Sequence, residues 1–320
     1  MFYNNGKERG KPMTLRNKIK YLKQRISLNK KTFILYSVLR ALVILTAIRC
    51  LIQENYESFM LCILSLLLFL MPSLLEVKLK LRFPPLFEAF IYLFIYAAEI
   101  LGEINHYYTI IPGWDTMLHT INGFLCAAIG FSLIEILNRN SNHIKLSPFY
   151  LALVGFCFSM TIGVLWEFFE YSLDHFFFVD MQKDFIVKNI GTITLDPTGS
   201  QTPVVIHDIT DTVIHTADGK TYTIDGGYLD IGINDTMKDL IVNFIGAITF
   251  SVLSFIYEKT RDLKERNRAA EIAGSLMLTS LTDEDLARQA TQIEEQQAAI
   301  AEERRKRRKL LRHGKKKENS

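Results

Sequence analysis

Long apolar blocks dominate this sequence and decide what it can fold into. They run approximately Thr32–Leu51, Ser58–Leu75, Pro85–Leu101, Trp114–Leu137, Pro148–Phe178 and Asp235–Tyr257. A helix needs about 20 mainly apolar residues to cross a bilayer, and each block reaches or nearly reaches that length. Glu88 and Glu99 interrupt the third, and the fifth is long enough to tilt or extend past the bilayer. Hydrophobic residues make up 49% of the 320, while charges crowd into the two ends and a few short connectors. The expected fold class is therefore an all-α integral membrane protein, a bundle of about six transmembrane helices.

Lysine and arginine near the span ends predict orientation. Residues 1–31 form a basic N-tail, and Lys78, Lys80 and Arg82 mark the second connector. Arg139 and Lys145 mark the fourth, and the tail from 258 to 320 is rich in both residue types. The first connector carries only Arg49 at its edge, and the third, Gly102–Gly113, carries neither. This alternation places both termini in the cytoplasm, the membrane domain at 32–257 and the long fifth connector, 179–234, outside. No short cleavable leader precedes the first block, which is expected to stay as an anchor.

The outer loop is rich in Thr, Asp, Gly and β-branched residues. Val213–Thr216 and Thr221–Ile224 flank Ala217-Asp218-Gly219-Lys220, which predicts a β-hairpin in a small β-rich loop. The C-tail from Glu258 is expected to be helical and cytoplasmic, with Thr282 and Asp285 as a capping box. Its run Arg304–Lys317 suits anionic inner-leaflet lipid; nucleic acid is the weaker partner because no aromatics interleave the charges. Cys50, Cys62, Cys126 and Cys157 lie in apolar blocks, which argues against a secreted disulfide framework.

Charges inside spans are costly and mark interiors or cavities. The fourth block opens with Asp115 and His119, spaced i, i+4 on one face. The fifth carries Gly163, Glu167, Glu170 and Asp174 along one stripe, and the sixth carries Asp235, Asp239, Asn243 and Gly246. With the predicted orientation, Asp115, His119, Asp235 and Asp239 lie about one turn from the outer surface. Glu167 and Glu170 lie about 28–33 Å beyond Pro148, at the same depth. Asp115 and Asp235 also suit helix N-caps, but capping cannot explain the others.

So many carboxylates require compensation by a divalent metal ion, shared protons or a cationic partner. Asp115, Glu167, Asp235 and Asp239 are the candidate metal ligands, His119 and Glu170 the candidate acid or base, and Arg49 and Asn243 the candidate substrate contacts. Glu99, Glu103 and His106 could join from the third span. Arg40, in the middle of the first span, reads as half of an ion pair with Glu88 or Glu135.

These residues carry a resemblance. Trp114-Asp115-x-x-x-His119-x-x-x-Gly123, Trp166-Glu167-x-x-Glu170 and Asp235-x-x-x-Asp239-x-x-x-Asn243-x-x-Gly246-Ala247 together resemble the YjdF-like family of bacterial inner-membrane proteins, and more distantly VanZ-type membrane proteins. The resemblance covers about Glu99–Tyr257 without the loop, and the long outer loop and basic tail depart from it. It implies the bacterial cytoplasmic membrane and, because VanZ-type proteins are linked to glycopeptide resistance, a role in the envelope.

The leading functional expectation is an outer-face acidic and histidine site acting on an envelope lipid or lipid-linked wall precursor. A cation- or proton-coupled transporter and a non-catalytic membrane scaffold are the alternatives. No nucleophile motif, P-loop or His-Glu-x-x-His motif occurs, so the pattern leaves the reaction class open.

Overall fold

A computed structural model describes residues 30–79, 81–141, 145–260 and 268–280. The N-tail before Lys30, the Thr282/Asp285 pair and the Arg304–Lys317 run lie outside the described residues. Six helical stretches are long and apolar enough to cross a membrane: Lys30–Ile52, Tyr56–Glu76, Pro85–Ile104, Trp114–Asn140, Pro148–Phe177 and Ile233–Thr260. They are called the first to sixth spans. Only 22% to 44% of each apolar window is buried inside the protein, which leaves the remaining side chains for lipid. The chain is an all-α multi-pass membrane protein with small strand pieces.

Two compact units divide the described chain, one over residues 30–105 with 275–280 and the other over 106–274. The first unit holds the first three spans. Its core gathers Leu39, Val43, Ala47, Cys50, Cys62, Phe69, Tyr92, Ile95, Ile100 and Ile104. Tyr36, Phe69 and Tyr92 pack as a ring triangle with centroids 5.2–6.2 Å apart. The second span breaks at Phe69–Leu70 before resuming at Met71–Leu79, where Pro72 has no amide to continue the preceding helix. The third span changes from an α-helix, Pro85–Ile95, to a π-helix, Tyr96–Ile104, which carries Glu99 and Glu103.

Arg40 donates to the Tyr36 hydroxyl at 2.8 Å, and its guanidinium also lies over that ring. Glu135, one of its expected partners, instead pairs with Arg139 one turn away. Thr279–Ser280 returns to pair antiparallel with Leu81–Arg82.

The second unit is built on the last three spans. Ser147 caps the fifth, its hydroxyl accepting from the Tyr150 amide at 3.3 Å, and Pro148 occupies the first helical position, where a missing amide costs nothing. Phe124, Phe131 and Phe250 pack edge to face in the interior. The chain from Phe178 to Gly232 joins the fifth and sixth spans at one end of this helix trio.

Within that loop, Asp211–His215 pairs antiparallel with Thr221–Asp225, with Val213 opposite Thr223. The expected Asp-Gly hairpin is present, and Gly219 takes the turn at φ +81°. Two shorter antiparallel pairs, Ile186–Val187 with Tyr228–Leu229 and Ile190–Thr192 with Val204–Ile206, complete its β structure.

Candidate functional site

Glycines set the distances between the last three spans. A Cβ on Gly123 would collide with the Asn243 carbonyl, and one on Gly246 with the Thr120 carbonyl. The fourth and sixth helices therefore touch backbone to backbone at two places one turn apart. A Cβ on Gly163 would meet the side-chain amide of Asn243 at 2.6 Å, so this glycine leaves room for Asn243 between the fifth and sixth helices. Ser159 Oγ adds a 2.7 Å bond to the Gly123 carbonyl.

Approach this close brings the polar stripes together at the loop end of the trio. His119 is buried. Its Nε2 lies 3.4 Å from Asp115 Oδ1 and 3.8 Å from Asp239 Oδ2, and its Nδ1 lies 3.8 Å from Glu167 Oε1. Asp239 is only 1% exposed, and Glu167, Glu170 and Asp235 are also buried. Glu170 Oε1 accepts from the Trp166 indole at 2.8 Å, and Glu170 interacts electrostatically with Glu167 and His119. Three of the enclosed carboxylate oxygens, Asp115 Oδ2, Glu167 Oε2 and Asp239 Oδ1, have no hydrogen-bond partner. An orphaned buried carboxylate oxygen is costly unless a proton or a positive charge compensates it.

The donor set fits a metal ion. One ligand atom each from Asp115, His119 and Asp239 can be chosen with all three within 4.8 Å of one another. Ligands held about 2.1 Å from an ion stand about 3.0–3.4 Å apart, so the 3.4 Å His119–Asp115 separation already matches. The 3.8 Å His119–Asp239 gap needs only a small closure. Glu167 faces the opposite ring nitrogen at 3.8 Å, an electrostatic contact beyond hydrogen-bond range.

The remaining expected residues have other surroundings. Asp235 Oδ2 accepts the Lys183 amide at 2.8 Å, which ties the loop to the start of the sixth span. Asn243 is 1% exposed: Asn122 donates weakly to its Oδ1 at 3.5 Å, and its amide nitrogen faces Met160 Sδ at 3.6 Å. Its side chain is used in helix packing. Arg49 belongs to the first unit, where it donates to Asn105 Oδ1 at 3.1 Å. Asp174 accepts the amides of Met181 and Gln182, both at 2.7 Å.

Sequence reasoning missed Lys238, whose Nζ lies 3.7 Å from Asp235 Oδ1, 3.9 Å from Asp115 Oδ2 and 4.0 Å from Asp239 Oδ1. Its spacing of three from Asp235, inside an apolar span, was the available indication. The strap between Phe178 and Phe185 is secured further by Asp230. Burial opposes that carboxylate's charge, but the amides of Phe185, Asn234 and Gly232 outweigh it and hold the group below the usual range.

The spans and the buried acidic cluster define a multi-pass helical membrane protein with a polar site at one end of its last three helices. A family model described as "Predicted membrane protein (DUF2238)" matches residues 33–260, and the chain belongs to that family. The match takes in all the cluster residues and is consistent with the YjdF-like resemblance; it does not confirm the likeness to VanZ-type proteins. No curated protein and no solved structure matches the chain.

Proposed function

We propose that this is a bacterial cytoplasmic-membrane protein that holds a divalent cation between the outer ends of its last three spans and acts on an envelope lipid or lipid-linked wall precursor. The observation that carries the reading is the convergence of Asp115, His119 and Asp239, from each of which one ligand atom can be chosen with all three within 4.8 Å of one another. Asp115, His119 through Nε2, and Asp239 would hold the ion, with Glu167 facing the opposite ring nitrogen and Asp235 beside them. The ion would polarise a phosphoryl or carbonyl oxygen. Glu170, oriented by the Trp166 indole, is the general acid or base of this reading.

A transport path toward the other membrane face is less well supported. Immediately beyond Asp239 the interior is filled by Asn243 against Gly163, followed by the rings of Phe124, Phe131 and Phe250. The basic run Arg304–Lys317 is proposed to rest on anionic lipid of the inner leaflet.

Metal analysis of the detergent-purified full chain tests the reading. After equilibration with Mn2+ and desalting, wild type should retain stoichiometric metal, and Asp239→Asn should retain none. A folded wild-type protein holding no more metal than Asp239→Asn would overturn the cation site.

A further inference from the structure

Lys238 is one residue before Asp239, so it stands beside the acidic stripe of the sixth span and not on it. Two of the three oxygens nearest its ammonium, Asp115 Oδ2 and Asp239 Oδ1, are ones left without hydrogen bonds. At 3.9 and 4.0 Å the ammonium is beyond hydrogen-bond range and supplies charge without satisfying either oxygen. The Lys238 side chain is 38% exposed, against 1% for Asp239. The same ammonium already lies over the Phe185 ring of the loop strap, 5.7 Å from its centroid, and its flexible stem can withdraw outward.

We propose that Lys238 is the resident counter-ion of this site and competes with a divalent cation for Asp115 and Asp239. The inference rests on the cation reading above and adds to it a residue that sets the affinity. A divalent ion held between Asp115 and Asp239 would repel the ammonium beside it. Its entry would drive the Lys238 ammonium away from Asp115 and Asp239 toward solvent, where the side chain is already 38% exposed.

Mn2+ titration of the full chain in detergent, wild type beside Lys238→Met and Lys238→Arg, tests this. Lys238→Met should bind Mn2+ at least about tenfold more tightly, because a unit charge near 4 Å outweighs that factor even at an effective dielectric of about 20. Lys238→Arg, which keeps the charge, should stay near wild type. A second readout needs no variant: Mn2+ should raise the labelling of Lys238 by an amine-reactive reagent in the wild-type protein. If wild type binds Mn2+ but Lys238→Met binds equally or more weakly, or Lys238 labelling does not rise, the competition is refuted and the cation site stands. If neither wild type nor Lys238→Met binds Mn2+, both readings fall.

Discussion

Gly246→Ala tests whether backbone contact between the fourth and sixth spans builds the site. The added Cβ would overlap the Thr120 carbonyl and lie 2.9 Å from the Phe124 amide nitrogen and 3.0 Å from the Thr120 carbonyl carbon. Ordinary contact between heavy atoms is about 3.5–4.0 Å, so the helices must part by about 1.5 Å at this crossing. Overpacking of this kind costs about 1–3 kcal/mol, and backbone neighbours cannot rotate away, which places the expected cost near the top of that range. Parting the helices also widens the 3.8 Å gap between His119 and Asp239, so metal retention should fall with stability. Ile245→Ala is the control, because Ile245 is 50% exposed on the neighbouring lipid-facing surface and should change little. The assay is the midpoint for loss of the monodisperse peak on heating in detergent. Equal midpoints for Gly246→Ala and wild type would refute the reasoning.

The loop strap should loosen in acid. Asp230 has a carboxyl held below its usual range, so its stabilising contribution is complete above the unfolded value of about 3.9 and is lost as pH falls through the lower folded value. Asp230→Ala should reproduce that loss at neutral pH, costing about 1–3 kcal/mol through unsatisfied amides and seen as faster proteolysis between Phe178 and Ile233. Reporter fusions near Gly219 should read external and fusions after Glu258 cytoplasmic; a cytoplasmic reading at Gly219 would reverse the predicted topology. A peptide covering Arg304–Ser320 should bind anionic vesicles and be released by salt, since screening shortens the reach of its charges to about 8 Å at physiological ionic strength.

The spans were legible because apolar length is a local property of the chain, and only their ends moved. The sixth begins at Ile233, ahead of the expected Asp235, and the third ends at Ile104 through a π-helix that apolar spacing alone does not reveal. The carboxylates and His119 were legible as stripes because i, i+4 spacing puts residues on one face whatever the partner helix does. Lys238 was indicated only by its spacing of three from Asp235 and lies at the edge of the stripe, which it reaches through a long stem. The partners of Asp174, in the last turn of its helix, are amides of the departing chain, which helical spacing does not indicate. In the loop, the Asp-Gly hairpin carried its own turn chemistry. The pairing of Val187 with Tyr228 joins residues far apart in sequence and has no local indication.

The central claim is that His119 ligates a cation held between Asp115 and Asp239. Pulsed electron paramagnetic resonance on Mn2+-loaded, detergent-purified protein measures this most directly. The account predicts nitrogen coupling from one imidazole in the wild type, absent in His119→Gln and unchanged in a variant of the distant His207. Bound Mn2+ without nitrogen coupling, or coupling that survives in His119→Gln, would contradict it.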